Sequence, residues 1–553
     1  MSKVKLRING IDGEAELGKT ILEAAQGLGI FIPTLCHHEA LIPRGACRMC
    51  IVEDKGRLKA ACTMPVENGM DIITDSPRIQ HIRETTIQMI FTSRNHYCMY
   101  CEVSGDCELQ DLGYKLGMDH FNFATYENRY PVDTTHPYII FEHNRCILCG
   151  RCVRACTDLT GHYVLTERSR GVKTLIVADI ESPLGRSSCV SCGACVQVCP
   201  TGALIEKRAA YQRNREKNER IKTVCDMCPV GCGIEIHKNP GTNSVIKIHG
   251  DWHAGPTNGL LCKNGRYRSL YEEHQEISSP RMRRGTSMKE IKAGDLEGLM
   301  ADKIDGAAAY VDGYLSNEEL GRIKDLFGEK IYSLRPVNAP IPSTARIEDL
   351  KTAGTIVVFR LDLDAQYGAL GSLIKRRAAM NEAGLILVDA PENTFAKLPG
   401  KRLGSSEFLA GIKGLTETDD CLLVYRDLED KERDALSSLE GMRFLWLPPE
   451  TNTLGLARLG IEHAAPKGKA LFFFGKDIPE VAIEDGTFVA CFSPHENCLT
   501  RRADLVVPIR DGFEREGTFY NLEGEIVRRM RVLSPGPARI DLNELLVRML
   551  PKG

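Results

Sequence analysis

The sequence repeats one cysteine pattern in two stretches, CILCGRCVRAC at residues 146–156 and CVSCGACVQVCP at residues 189–200. In each stretch three cysteines are spaced by two residues, and a fourth follows after three more. Thiolates at this spacing lie close enough together to bind the irons of one inorganic cluster. The two stretches therefore predict a compact domain that binds metal clusters through cysteine.

The composition indicates a globular protein of several domains. The chain has 553 residues with 43% hydrophobic and 26% charged residues, a length that predicts about three to five domains. A formal net charge of −3 gives no electrostatic argument for nucleic acid or an anionic membrane. Because no apolar run approaches the roughly 20 residues that span a bilayer, and the N-terminus lacks a signal-peptide core, we expect a cytoplasmic protein without a membrane span.

The cysteines are concentrated in the N-terminal half. Of the 22 cysteines, 19 precede residue 263, and only Cys421, Cys491 and Cys498 follow. Disulfide frameworks belong mainly to short secreted chains, so we interpret the grouped cysteines of this long chain as metal ligands. We expect the three late cysteines to be ordinary small core residues.

The two repeated stretches resemble the cysteine runs of two-cluster bacterial ferredoxins. In that family the fourth cysteine of each run binds the cluster of the other run. The resemblance implies a two-cluster ferredoxin domain over residues 137–210, with one [4Fe–4S] set of Cys146, Cys149, Cys152 and Cys199 and another of Cys189, Cys192, Cys195 and Cys156. Thr157 replaces the usual proline after the first run, a minor departure because that proline does not bind iron.

A second kind of cysteine group lies near the N-terminus and consists of Cys36, Cys47, Cys50 and Cys62. Its spacing departs from that of photosynthetic plant-type ferredoxins. It resembles the [2Fe–2S] domain of the large iron–sulfur subunit of respiratory complex I and of its hydrogenase relatives. The resemblance implies a plant-type ferredoxin domain with a β-grasp fold over residues 1–79, in which these four cysteines bind a [2Fe–2S] cluster; a zinc site is the alternative.

Local patterns around this group are consistent with a ferredoxin fold. Residues 4–8 alternate like a strand and end at the turn signal Asn9-Gly10. Thr20 and Glu23 form a capping box, which predicts a helix that stops near Gly29.

The third group mixes one histidine with three cysteines and consists of His96, Cys98, Cys101 and Cys107. Three thiolates leave one iron of a cubane without a ligand, and a neutral imidazole can fill that place. The group and its Glu-Leu-Gln tail resemble the [4Fe–4S] domain of the same family that one histidine and three cysteines ligate, here over residues 80–120. That family often has three residues between the histidine and the first cysteine, whereas this chain has one, which is closer to the diaphorase subunits of NAD-linked hydrogenases. A backbone or water ligand in place of His96 is the alternative.

The last group consists of Cys225, Cys228, Cys232 and Cys262. Its spacing and the following sequence resemble the N-terminal [4Fe–4S] domain of the molybdopterin oxidoreductases, over residues 218–274, and a zinc site is again the alternative. One [2Fe–2S] and four [4Fe–4S] clusters need 20 ligands, which 19 cysteines and His96 supply.

Residues 275–553 change to an α/β pattern. Ser316 and Glu319 form a capping box for a helix that stops near Gly328. Short apolar strands alternating with helices predict a mostly parallel, doubly wound sheet, with strands at residues 355–359, 385–389, 470–474, 488–492 and 505–508.

This half resembles a shortened, degenerate molybdopterin oxidoreductase. No cysteine lies between Cys262 and Cys421, and no cysteine is followed by His-Gly, so we expect no molybdenum or tungsten pterin. We expect the half to serve as a platform that docks partners and shields the fifth cluster. The alternatives are a compact molybdenum or tungsten pterin oxidoreductase such as a formate dehydrogenase catalytic subunit, an iron-only hydrogenase, and a scaffold with purely structural clusters.

The resemblance implies an electron-transfer subunit of a multisubunit NAD(P)-linked oxidoreductase, without catalytic residues of its own. No glycine-rich nucleotide motif is visible, so an NAD(H) step would belong to another subunit. The implied partners are a flavoprotein subunit with FMN and an NAD(H) site, a small thioredoxin-like [2Fe–2S] subunit, and a catalytic subunit such as a hydrogenase, a formate dehydrogenase or a quinone-reducing module.

Metal analysis of the anaerobically purified chain tests the ligand count. We expect about 18 iron atoms per chain and neither molybdenum nor tungsten, because one binuclear and four cubane clusters contain that number of irons. About one molybdenum or tungsten per chain would instead make the C-terminal half an active site.

Overall fold

The computed structural model describes residues 2–125, 129–212, 217–391, 395, 398–416, 420–439 and 441–550. The chain folds into two compact units, Met1–Asn218 and Glu219–Gly553. The first four cysteine-containing sets lie in the first unit and the fifth lies in the second. Among the helices of the described ranges, none combines the length and the apolarity needed to cross a bilayer.

The first unit is built from short strands and helices. Its strands are β1 (Lys3–Ile8), β2 (Ile11–Glu16), β3 (Ile51–Asp54), β4 (Arg57–Ala60), β5 (Met70–Ile73), β6 (Ile139–Phe141), β7 (Leu165–Arg168), β8 (Leu175–Ala178) and β9 (Leu204–Glu206). Its helices are α1 (Ile21–Gly27), α2 (Pro77–Ser93), α3 (Glu108–Lys115), α4 (Arg151–Arg154) and α5 (Ala194–Gln197).

The first five strands form one sheet in the order β2-β1-β5-β3-β4. Strands β1 and β2 pair antiparallel through Asn9-Gly10, where both residues have positive φ, as a tight hairpin requires. Strand β5 then pairs parallel to β1. Ile8, Val52 and Ile72 are fully buried in the core of this sheet. The predicted N-terminal strand and its turn are confirmed.

The predicted capping box before α1 is also confirmed. The Thr20 hydroxyl accepts the Glu23 N–H at 3.2 Å, and the Glu23 carboxylate accepts the Thr20 N–H at 2.7 Å. These two bonds satisfy N–H groups that would otherwise lack a partner at the helix N-terminus. The helix ends at Gly27, and Gly29 follows with a left-handed backbone at φ 72°.

The two cysteine runs are enclosed by a pair of strands. Strand β6 precedes the first run, β9 follows the second, and the two pair antiparallel. Each run begins in an irregular loop and continues into a short helix, α4 in the first run and α5 in the second. The pairing of β6 with β9 therefore brings the start of the first run close to the end of the second.

The second unit contains many more strands. They are β10 (Glu219–Val224), β11 (Gly233–Asn239), β12 (Ser244–Gly250), β13 (Arg281–Arg284), β14 (Ser287–Glu290), β15 (Ala308–Val311), β16 (Ile331–Ser333), β17 (Thr355–Phe359), β18 (Gly384–Val388), β19 (Lys401–Leu403), β20 (Cys421–Tyr425), β21 (Arg443–Trp446), β22 (Ala470–Phe474), β23 (Phe488–Ser493), β24 (Leu505–Pro508), β25 (Gly517–Tyr520) and β26 (Ile526–Arg529). Its helices are α6 (Ser269–Tyr271), α7 (Leu296–Ile304), α8 (Asn317–Phe327), α9 (Leu363–Gln366), α10 (Gly368–Ala379), α11 (Ser405–Thr416), α12 (Asp430–Ser437), α13 (Thr453–Arg458) and α14 (Leu542–Met549).

The strands predicted for the C-terminal half are present, but they divide between two sheets. One sheet has the order β14-β13-β24-β23-β22-β15-β16, and it is parallel from β24 to β16. The other has the order β19-β18-β17-β20-β21 and is wholly parallel. The expectation of mostly parallel strands is therefore confirmed, but the strands form two sheets where the pattern indicated one. The apolar pattern of a buried strand identifies the strand, but it does not specify which neighbour the strand pairs with.

The capping box before α8 is present as predicted, with the Ser316 hydroxyl accepting the Glu319 N–H at 3.2 Å. Helix α8 ends at Phe327, and Gly328 follows as its C-cap. Aromatic residues dominate the seven-stranded sheet: Phe474 is fully buried and stacks on Phe492 with ring centroids 4.5 Å apart. The core of this sheet therefore depends on large side chains from neighbouring strands.

Replacing Phe474 with alanine tests that dependence. We expect Phe474→Ala to lower the free energy of unfolding of the second unit by about 3–5 kcal/mol, since a buried aromatic ring leaves a cavity when it is removed. Tryptophan fluorescence during urea unfolding is a suitable measurement, because both tryptophans, Trp252 and Trp446, lie in this unit. Val547→Ala is the control, since Val547 is 51% exposed. Equal losses of unfolding free energy in the two variants would contradict a dependence of the core on Phe474.

Candidate functional site

The first predicted ligand set combines three cysteines that precede β3 with Cys62, which follows β4. The Cys47 N–H donates to the Cys36 Sγ at 3.4 Å, and the Sγ atoms of Cys50 and Cys62 are 3.3 Å apart. Cys36, Cys50 and Cys62 are buried, and Cys47 is half-buried. Arg48, between the two central cysteines, has a left-handed backbone at φ 59°. The structure thus brings these four thiols together.

A buried arginine fixes the loop that carries this set. Arg83 of α2 donates from Nε to the Met49 carbonyl at 3.1 Å and from Nη2 to the Ile51 carbonyl at 3.0 Å. These two carbonyls flank Cys50. The guanidinium thereby holds the backbone on both sides of a predicted ligand and places a positive charge beside the thiols.

The histidine-containing set lines one small cavity. His96, Cys98, Cys101 and Cys107 all contribute to its wall, together with Phe91. The His96 Nε2 atom is buried and has no hydrogen-bond partner among the described residues. A buried imidazole nitrogen without a partner is costly unless something binds it, so the arrangement fits a metal ligand at this atom.

Two further observations at this cavity agree with a role of His96 as a metal ligand. Burial and the nearby Arg145 and Arg94 guanidinium groups lower the pKa of His96 to about 3, so the ring is neutral, which is the form that binds metals. Gly202 faces the same cavity, and a Cβ on it would lie 2.8 Å from Val103 and 3.3 Å from the Cys101 Sγ. The wall therefore has no room for a side chain at Gly202.

The two cysteine runs have the same backbone shape. Leu148 and Gly150 of the first run have φ values of 54° and 68°, and the corresponding Ser191 and Gly193 have 60° and 70°. The Leu148 N–H donates to the Cys146 Sγ and the Ser191 N–H to the Cys189 Sγ, both at 3.4 Å. Left-handed residues turn successive N–H groups toward one point, a geometry that suits a negatively charged cluster.

The fourth cysteine of each run lies among the thiols of the other run. The Cys199 thiol is close enough to interact electrostatically with those of Cys146 and Cys149. The Cys156 thiol interacts in the same way with those of Cys189 and Cys195. The structure therefore brings together the members of the two crossed sets that the ferredoxin resemblance implies.

Burial dominates the protonation of these thiols. It raises the pKa of Cys146 to about 11 and that of Cys149 to about 12. Thiols of this kind are protonated at neutral pH without a metal, and they release their protons when a metal binds. Their burial also shields a bound cluster from water.

The fifth set lies in the second unit, after β10. The Cys225 thiol interacts electrostatically with those of Cys232, Cys228 and Cys262, and the Gly265 N–H donates to the Cys262 Sγ at 3.5 Å. A Cβ on Gly265 would lie 3.1 Å from the Cys225 Sγ. Glycine thus allows the backbone to approach the thiols closely.

In the described ranges, no group of three or more His, Cys, Asp or Glu side chains is arranged to hold one metal ion. The thiolates of an iron–sulfur cluster share several irons instead. The ligand assignment of each of the five sets stays a prediction.

The late cysteines are distributed differently from the expectation. Cys421 in β20 and Cys491 in β23 are fully buried, as predicted for core residues. Cys498 is exposed, so the prediction that it belongs to the core is wrong. The Asn497 side chain accepts the N–H groups of Leu499 and Thr500, and this turn leaves Cys498 at the surface after β23.

A crevice of about 540 Å³ lies at the carboxyl ends of the neighbouring parallel strands β15 and β22. The chain leaves β15 toward β16 and leaves β22 toward β23, which makes this the point where the order of the sheet reverses, a common ligand position in such sheets. The Asp312 carboxylate accepts the N–H groups of Tyr314, Lys476 and Asp477 there. Burial, followed by the Asp312 carboxylate, raises the pKa of Glu450.

The charges of this crevice do not fit a phosphate-bearing pterin. Each arginine and lysine among the described lining residues lies within ion-pair distance of an acidic side chain: Arg268 of Glu272, Arg335 of Glu450, Lys476 of Asp511 and Arg529 of Asp226. The remaining lining carboxylates, such as Asp312 and Asp477, would repel phosphate groups.

Four sequence-family models match consecutive parts of the chain. They are described as the 2Fe-2S iron-sulfur cluster binding domain at residues 1–77, the NADH-ubiquinone oxidoreductase-G iron-sulfur binding region at 83–121, the 4Fe-4S dicluster domain at 145–203, and the molybdopterin oxidoreductase Fe4S4 domain at 219–272. The chain therefore contains [2Fe–2S] and [4Fe–4S] binding domains with mixed α/β structure.

Similar proteins include subunits of NADH and NADPH oxidoreductases. The chain is 32% identical to a G-type NADH-quinone oxidoreductase subunit of Rhizobium meliloti, over 58% of this chain and 38% of that protein. It is 29% identical to the alpha subunit of the NADPH-Fe(3+) oxidoreductase of Geobacter sulfurreducens, over 78% of this chain and 53% of that protein. The chain thus spans about half or less of the length of these curated relatives.

One solved structure, an NAD+-reducing [NiFe]-hydrogenase in the H2-reduced state, is 34% identical over 38% of this chain and 90% of the matched chain, with a TM-score of 0.37. The resemblance to the large iron–sulfur subunit of complex I is confirmed by the family models and by the relatives in sequence.

Replacing His96 with cysteine tests its predicted role. We expect His96→Cys to keep the cluster but to make its reduction potential more negative, because a thiolate adds a charge that a neutral imidazole lacks. Anaerobic redox titration followed by electron paramagnetic resonance measures this shift. His120→Ala, at an exposed histidine, is the control, and an unchanged potential in His96→Cys would remove the role of His96.

Proposed function

We propose that this chain is an iron–sulfur electron-transfer subunit of a multisubunit NAD(P)-linked oxidoreductase. It would carry single electrons between a flavin-containing, NADH-oxidising partner and a second catalytic partner. The observation that carries this proposal is the interleaving of the two cysteine runs, in which Cys156 and Cys199 each lie among the thiols of the other run. Such interleaving suits two neighbouring polynuclear clusters.

The proposal includes the five predicted ligand sets and their domains. We assign a plant-type [2Fe–2S] domain to residues 1–79, a domain ligated by one histidine and three cysteines to 80–120, a two-cluster ferredoxin domain to 137–210, a [4Fe–4S] domain to 218–274 and a degenerate molybdopterin-oxidoreductase-like domain to 275–553. One [2Fe–2S] and four [4Fe–4S] clusters would supply one-electron redox chemistry when bound.

The residues of the chain would set the conditions for that chemistry. N–H groups such as those of Leu148 and Ser191 point at thiol sulfurs, and hydrogen bonds of this kind stabilise the more negative, reduced state of a cluster. Burial of Cys36, Cys146 and Cys225 keeps water away from the sulfurs. The protein part of the mechanism is therefore to hold the ligands, exclude water and adjust potentials.

The partners follow from the resemblance and from the names of the relatives. We propose a flavoprotein with FMN and an NAD(H) site, a small thioredoxin-like [2Fe–2S] subunit, and a catalytic subunit such as a hydrogenase, a formate dehydrogenase or a quinone-reducing module. The α/β part of the second unit would dock partners and shield the fifth set.

Replacing a single predicted ligand tests the proposed function. We expect Cys36→Ala, in the whole chain purified anaerobically, to lose the [2Fe–2S] signal in electron paramagnetic resonance while the [4Fe–4S] signals remain, because each set would bind its own cluster. The iron content should fall by about two atoms per chain.

Cys498→Ser is the matched control, since Cys498 is exposed and lies outside all five sets. Its spectrum and iron content should equal those of the unaltered chain. Zinc instead of iron in the unaltered chain, or loss of every signal in Cys36→Ala while the chain stays folded, would contradict the proposed function.

A further inference from the structure

A buried arginine of α4 contacts two predicted ligand sets at once. Arg154, 8% exposed, donates from Nη2 to the carbonyl of Cys36 at 2.6 Å and to the carbonyl of Cys149 at 3.4 Å. It also donates from Nη1 to the Ile42 carbonyl and from Nε to the Gly150 carbonyl. One guanidinium therefore joins the loop of the [2Fe–2S] set to the loop of the first cysteine run.

A second arginine, one helical turn away, reaches in another direction. Arg151 forms a two-pronged ion pair with Glu108, at 2.7 and 2.8 Å, and donates to the Val198 carbonyl at 3.3 Å. Glu108 directly follows the predicted ligand Cys107, and Val198 directly precedes Cys199. Arg151 thus joins the first-run set to the set that contains His96.

The second cysteine run provides an internal comparison. The positions that correspond to Arg151 and Arg154 are occupied by Ala194 and Gln197, although the two backbones have the same shape. The arginines are therefore not needed to build a cysteine run of this kind. They distinguish the first run, which lies against two other predicted sites.

We infer that Arg151 and Arg154 are positioning residues that fix the first-run cluster site between the [2Fe–2S] site and the His96 site and so determine electron transfer through it. This inference rests on the proposed function. We call the two residues the bridging arginines.

The chemistry of arginine suits this role. The guanidinium is planar, stays charged at every accessible pH and carries five donors in a fixed fork. It can therefore hold carbonyls of two loops at one separation, which a lysine ammonium with its flexible stem cannot do as well. Arg154 also places a fixed positive charge beside two sets of thiolates, and such a charge favours the reduced form of a cluster.

Arg44, from the loop of the [2Fe–2S] set, lies against the first run beside the bridging arginines. Gly150, immediately before α4, has a left-handed backbone at φ 68°, and a Cβ there would overlap the Arg44 guanidinium. Arg44 in turn is ion-paired with Glu167. The Arg44 side chain, from the loop of the [2Fe–2S] set, therefore packs directly against Gly150 of the first run.

The test uses the whole chain, purified anaerobically, with the variants Arg154→Met, Arg154→Lys and the control Gln197→Ala. The electron leaves the reduced [2Fe–2S] cluster and arrives at the oxidised first-run cubane, with no bond made or broken. We expect Arg154→Met to slow this transfer several-fold after rapid partial reduction. The magnetic interaction between the two reduced clusters should weaken as well.

The lysine variant separates geometry from charge. Arg154→Lys keeps the positive charge but loses the fork of guanidinium donors, so it should slow electron transfer while the reduction potentials stay the same. Arg154→Met should slow the transfer and also make the reduction potentials of the [2Fe–2S] and first-run clusters more negative. Gln197→Ala should match the unaltered chain in every measurement. Unchanged transfer and unchanged magnetic interaction in both Arg154 variants, at full iron content, would overturn the inference.

Glu108→Gln provides a second test if the Arg154 variants lose iron. Glu108→Gln removes the charge that pairs with Arg151 and keeps the shape of the side chain. We expect this variant to hold full iron and to weaken the magnetic interaction between the first-run cluster and the His96 cluster. An unchanged magnetic interaction would count against a positioning role of Arg151. An unaltered chain without iron–sulfur clusters would refute the proposed function itself. Intact clusters whose magnetic interactions are unchanged in the variants would refute only the positioning role of the bridging arginines.

Discussion

The convergence of thiols from separate loops is the constraint on which the rest of the first unit depends. A cluster loop must bring several sulfurs to one place and turn its N–H groups toward them, which ordinary right-handed or extended backbone does not achieve. This explains the left-handed residues Leu148 and Ser191 at the same place in each run. It also explains Gly202, beside the His96 cavity, where any side chain would collide with its neighbours.

The two units use charge in opposite ways. In the first unit, buried arginines such as Arg83 and Arg154 donate to carbonyls beside the predicted ligands, so positive charge lies next to groups that become negative when metal binds. In the second unit, Lys476 at the carboxyl edge of the seven-stranded sheet is neutralised by the Asp511 carboxylate. The first arrangement favours a negatively charged cluster, whereas the second leaves little attraction for a phosphate-bearing ligand.

Much of the local structure follows from the sequence, because local signals have local causes. The capping boxes at Thr20 and Ser316 start the predicted helices, and strand β17 has the predicted bounds. The pairing of the strands depends on partners distant in sequence, and the apolar strands of the C-terminal half divide between two sheets. The exposure of Cys498 has a local cause instead, because an asparagine-centred turn at Asn497 places it at the surface.

The sequence by itself determined the spacing of the cysteines within each run, because thiolates three or four positions apart on one loop can bind the same cluster. The assignment of Cys156 and Cys199 to the set of the other run came from the ferredoxin resemblance. Only the tertiary structure decided how those loops are held together. Nothing in the spacing indicates that the His96 Nε2 atom is buried without a partner, or that Arg154 joins the carbonyls of Cys36 and Cys149. The contact between Arg154 and Cys36 links residues 118 positions apart, and packing of the whole unit creates it.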